Sequence, residues 1–192
     1  MQPSPNIHLE LQRSTELLEQ LHSVTSPSEF DDRWQRFLGH LERVWNKCQN
    51  HFGKSPKWHG WKGRYEKQRR IDPLLSYLTN ARGAHEHTVS DITDKKPSSI
   101  ALGAGPSGTV HIKRLTIGTN GQIQGDWDGD LKVTFNPERV DPAPVNNRGK
   151  TYAVPTTHLW TALCDTTAVT LGKFGLAFYK QLVSDADQFF AQ

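Results

Sequence analysis

The chain has 192 residues, 35% of them hydrophobic, which suffices for one cored domain and is too little for two of ordinary size. No apolar run approaches the roughly 20 residues that cross a bilayer, and the start MQPSPNIHLELQ has no hydrophobic leader, so a soluble, unsecreted, cytoplasmic protein is expected. The net charge of +3 excludes a polycation, but the charge is unevenly spread.

From the N-terminus, Ile7, Leu11, Leu17, Leu18 and Leu21 recur at helical spacing and predict a first helix over 7–24. SPSE at 26–29 is a capping signal, and Phe30, Trp34, Phe37, Leu38, Leu41, Val44, Trp45 and Cys48 then predict a long amphipathic helix from 28 to about 52, stopped by Gly53 and Pro56. A third helix is expected from near Trp61 through IDPLLSYLTNARGAHEH, with Pro73 at an early position or a kink. After Val89 the stretch KKPSSIALGAGPSG reads as a loop. TVHIKRLTIG, the Asn120-Gly121 turn signal and QIQGDWDGDLKVTF predict a β hairpin or meander over about 109–136. Pro137, Pro142 and Pro144 precede a last helix expected over roughly 158–190. The plan is a single, mainly α domain over 1–192: a four-to-five-helix bundle with a small β insertion between the third and last long helices. Cys48 and Cys164 have no CxxC partner and fall in helical stretches, so both are expected as buried free thiols.

The segment KSPKWHGWKGRYEKQRR, 54–70, is strongly basic, with Glu66 its single acid. Two readings stand. Either this is a solvated helix start whose aromatics point into a core, or Lys57, Lys62, Arg64, Lys67, Arg69 and Arg70 hold a nucleic-acid backbone while Trp58, Trp61 and Tyr65 stack on bases.

ARGAHEH, 81–87, closes the apolar stripe of the third helix. A guanidinium and an imidazole can together cleave RNA without a metal: the imidazole moves the proton of the 2′-hydroxyl or leaving oxygen, and the guanidinium neutralises the pentavalent phosphate. At 100° per residue Arg82 lies about 60° from His85 and about 140° from His87, so His85 is the nearer neighbour on an ideal helix.

Arg82, four intervening residues and His87, preceded by DPLLSYLTNA, resemble the HEPN superfamily of helical bundles, whose ribonuclease members carry an arginine, four to six residues and a histidine. The resemblance covers the helical parts of the chain. It implies a metal-independent endoribonuclease of the toxin or anti-phage kind, without a cofactor and working as a homodimer, in which Arg82 stabilises the phosphate and His87 is the general acid or base. Active members commonly have a polar residue after the arginine; here it is Gly83, which leaves Asn80 or His85 to support the pair. The alternative is a non-catalytic module of the same build that binds RNA or a protein partner, such as an antitoxin or a nucleotidyltransferase-type companion.

Other motifs carry less. Asp126, Asp128 and Asp130 imitate the start of a calcium loop, but Leu131 and Pro137 replace its glycine and glutamate, so a tight acidic turn is expected and no metal. His51 and His59 lack zinc spacing, and GAGPSG lacks the lysine of a phosphate loop. Arg148-Gly149-Lys150 forms a basic loop that could reach toward the motif.

Overall fold

The computed structural model describes residues 2–24, 26–88, 91–119 and 122–191, apart from the side chains of His87 and Thr88. In chain order its elements are α1 (Pro5–Gln20), α2 (Pro27–Phe52), α3 (Trp58–Ile71), α4 (Pro73–Thr88), β1 (Thr93–Lys96), β2 (Ser99–Ala104), β3 (Val110–Ile117), β4 (Ile123–Gly129), β5 (Leu131–Asn136), β6 (Arg139–Pro142), β7 (Val145–Asn147), β8 (Lys150–Tyr152), β9 (Thr157–His158), β10 (Thr161–Ala162) and α5 (Ala168–Phe190). The mainly α bundle with one β hairpin is therefore incorrect. The fold is mixed α/β, 51% helical and 25% strand, the strands in five small antiparallel sheets.

Three local rules account for the helix bounds. α1, α2 and α4 each open on a proline near the first helical position, where a missing N–H removes no helical hydrogen bond. The expected third helix is two, because the residue before Pro73 is pushed out of helical conformation: Asp72 sits at ψ 128°, ending α3, and its side chain accepts the Leu75 amide at 2.9 Å to begin α4. α5 starts at Ala168 rather than near 158, with Thr167 as its cap, and residues 157–162 form the β9–β10 hairpin instead.

The chain divides into two compact units, Met1–Lys95 with Val140–Gln192, and Lys96–Arg139. In the first, α2 is central. The three- and four-residue spacing of Trp34, Phe37, Leu41 and Val44 buries them against Ile7, Leu11, Leu18 and, from α5, Leu171 and Leu182. Each such side chain contributes roughly 1.5–3 kcal/mol by leaving water. α5 comes close because Gly172 and Gly175 carry no Cβ, which would collide with Leu18 and Leu78. One acid is buried in the α1–α2 seam: Glu10 accepts from Lys47 at 2.7 Å and pairs with His40. Burial alone would raise its pKa, but Lys47 and His40 together hold it below the usual value. Cys48 is buried as expected and burial lifts its thiol to about 12, whereas Cys164 is exposed and precedes α5.

The second unit is a two-stranded ribbon: β2 pairs with β5 and, beyond the turn at Gly105–Gly108, β3 pairs with β4. It spans Lys96–Arg139, wider than the expected 109–136. The Asn120-Gly121 turn lies outside the described residues. The acidic stretch at 126–130 is mostly the end of β4, with Asp128 paired to Lys113 at 3.0 Å, and not a tight turn. Register sets Ile100 opposite Phe135, Leu102 opposite Val133 and Ala104 opposite Leu131, so one face of the β2–β5 pair is apolar. None of the described residues in this unit is buried.

Candidate nucleic-acid interface

Arg82 and His85 both lie half-buried on α4. The guanidinium pairs through one terminal nitrogen with Glu86, while its Nε is buried and makes no hydrogen bond among the described residues. The His87 side chain lies outside the described residues. Asn80 is committed to structure: its amide donates to the Ser76 carbonyl at 2.8 Å, and its oxygen accepts from Asn147 of β7 at 3.0 Å. The same contact bears on Gly83: a Cβ there would lie 2.6 Å from Asn147 Nδ2, so a side chain at this position must displace the amide that bonds Asn80.

The basic block divides between core and surface. Trp58 and Tyr65 are buried, and Trp58 stacks on Phe52 and Trp61 at centroid distances of 5.8 and 5.3 Å; Trp61 is partly buried in the same cluster. These aromatics join the core, as the first of the two readings expects. Arg69 turns inward: its Nε donates to Tyr179 Oη at 2.9 Å, it pairs with Glu42, and it covers the Trp45 ring at 4.3 Å. Lys62 pairs with Glu66 at 2.7 Å and Arg64 with Asp185 at 3.2 Å, while Lys57 lies 6.0 Å from the Phe189 ring. Lys67 and Arg70 are exposed and have no ion-pair partner among the described residues.

Arg70 faces a groove that no sequence pattern marked. Three hollows of about 310, 400 and 270 Å³ run along the α3–α4 junction, and a fourth of about 400 Å³ continues between α3, the β9–β10 hairpin and α5. The first two share Arg70, Ser76, Lys150 and Tyr152; the second and third share Ile71, Pro73 and Thr157; the third and fourth share Gln68 and Leu159. Lys150 reaches this groove because Arg148 and Gly149, both at positive φ, form the two-residue turn of the β7–β8 hairpin. Its ammonium stands 5.1 Å from the Tyr152 ring and pairs with no carboxylate among the described residues. The basic loop thus approaches α4 from the Asn80 side, since Lys150 and Asn80 line one hollow.

The groove is bounded by the β9–β10 hairpin, which Asp72 clamps. One Asp72 oxygen accepts from His158 Nδ1 at 3.0 Å and the other from the Leu159 amide at 2.6 Å. Burial, the largest single influence, pushes the carboxyl pKa up; the bonds from His158, Leu159 and Leu75 outweigh it and hold the pKa below the usual value. Leu159 and Trp160 form the hairpin loop at φ 45° and 70°. Such loops suit Asn-Gly, and each bulky left-handed residue costs on the order of 1–3 kcal/mol. Asp72, His158 and Trp160 were not singled out in the sequence, although the Asp-Pro step at 72–73 is a helix-start signal that could have flagged the first.

Among the described residues no group of three or more His, Cys, Asp or Glu side chains is arranged to hold a metal ion. No helix of the described residues is long and apolar enough to cross a membrane. No family model, curated protein or solved structure matches the chain, so the HEPN resemblance rests on the motif alone.

Proposed function

We propose that the protein binds RNA along the α3–α4 groove, as a module in which Arg70 and Lys150, with Lys67 one turn away, hold the phosphate backbone. The observation that carries this reading is the pairing of two exposed cations, Arg70 and Lys150, on one groove with no ion-pair partner for either among the described residues. The reading needs the protein in the cytoplasm, where RNA is available. Titration of labelled RNA at two salt concentrations tests it. An Arg70→Glu, Lys150→Glu double variant should bind at least tenfold more weakly and lower the salt slope by about one for each lost phosphate contact. Unchanged affinity in that variant, or no salt-sensitive binding by the parent protein, overturns the reading.

A second reading is metal-independent RNA cleavage of the HEPN kind by Arg82 and His87, supported by His85, in a homodimer restrained by an antitoxin-like partner. It is favoured by Arg82, a half-buried guanidinium whose Nε has no hydrogen-bond acceptor among the described residues. Incubation with RNA and a chelator tests it. Loss of cleavage in His87→Ala or His85→Ala supports it, and cleavage that survives in both, or is absent from the parent protein, removes it.

A further inference from the structure

We infer that Trp160 is a platform on which an unpaired nucleobase stacks, so that the groove takes single strands in preference to duplex; this rests on the RNA-binding reading above. Trp160 is 95% exposed at the tip of the β9–β10 hairpin. Its backbone is held at φ 70°, a region that a bulky side chain rarely adopts, directly after Leu159 at φ 45°. A strained residue that buries almost nothing gains no packing to offset its strain. The neighbouring contacts enforce the conformation instead: Asp72 accepts the Leu159 amide at 2.6 Å and the His158 imidazole at 3.0 Å, from a carboxylate that itself caps α4. The clamp therefore aims the indole outward from a rigid base.

What lies beside it selects the occupant. Ile71, 52% exposed, and Leu159, 42% exposed, line the same hollow as Trp160 and give an apolar floor. Ile71 also lines the next hollow together with Arg70 and Lys150. An apolar, aromatic seat that passes into unpaired cations matches a chain that alternates flat bases with phosphates. A wholly apolar partner would leave those charges unanswered. In a duplex the π-faces are hidden within the stack, whereas in a single strand they are free to meet an aromatic side chain.

The test compares an oligoribonucleotide of about ten nucleotides as single strand and as duplex, with the matching DNA single strand, at fixed salt. Trp160→Ala should weaken single-strand binding by roughly 5- to 100-fold and leave duplex binding unchanged, with Trp160→Phe retaining most of the affinity. Equal loss on RNA and DNA assigns the seat to the base; a loss confined to RNA adds a ribose contact, and either pattern upholds the inference. Trp160→Gly separates folding from binding, because glycine tolerates positive φ: it should melt no lower than the parent protein and still lose the single strand. Single-strand affinity unchanged in Trp160→Ala overturns the inference. If the Arg70→Glu, Lys150→Glu variant loses binding in that same experiment, the RNA-binding reading survives and the indole is left for a protein contact. If the charge variant also binds normally, the reading itself has failed.

Discussion

Asp72 concentrates three jobs in one carboxylate: it ends α3 by adopting the extended conformation that proline imposes on its predecessor, it begins α4, and it anchors the hairpin that carries Trp160. Its pKa is lower in the folded chain than in the unfolded one, so the native state favours the ionised form. The stability this supplies is full above the unfolded value of about 4 and is lost as pH falls through the lower folded value. Asp72→Asn keeps the shape and removes the charge. It should cost about 1.5–3 kcal/mol near neutral pH, and the gap to the parent protein should narrow below about pH 4. Urea unfolding at several pH values measures both, and a gap that is constant with pH refutes the assignment. His158 is the titratable group that faces this carboxylate.

At the scale of elements, β7 docks on α4 with Asn147 set against Gly83, the residue after Arg82. Replacing Gly83 with alanine gains about 1 kcal/mol of helix propensity but drives a Cβ into Asn147, whose amide is fixed by Asn80. Overpacking of this kind costs roughly 1–3 kcal/mol. The net expectation is a destabilised protein, whereas Gly39→Ala on α2, where a Cβ meets nothing within 4 Å, should stabilise by about 0.5–1 kcal/mol. Thermal melts of the pair check the contrast; equal shifts would mean that β7 yields. The motif residues were legible as an Arg-His cluster at a helix end. That Asn80 would bond to a strand 67 positions away was not, because nothing local encodes that distance. Arg69 shows the same limit: Lys67 and Arg70 beside it are basic and exposed, and Glu42, Tyr179, Trp45 and Thr79 from other helices turn it inward.

At the scale of the whole molecule, the two units differ in what holds them. The first has a continuous core from α1 to α5, while the ribbon of Lys96–Arg139 has no buried residue among those described. Two strands without a covered face are marginal by themselves. Amide hydrogen exchange should therefore show low protection across β2–β5 and high protection in α2 and α5, and equal protection in both units would show the ribbon to be covered in solution.

Helical periodicity is a local property, so α2 was legible almost to the residue, as was the existence of α1 and of a closing helix, and the basic block was visible as a run of charge. The short strands between 93 and 162 were mostly not, because elements of two to four residues carry no period and take their order from hydrogen bonds to a partner that may be far along the chain, as β1 does from β6. The sequence by itself determined α1, α2, the existence of a closing helix and the stock of cations. Only the tertiary structure decided which cations remain free, and that a tryptophan expected in a helix stands on a strained hairpin, since both depend on groups brought together across the chain.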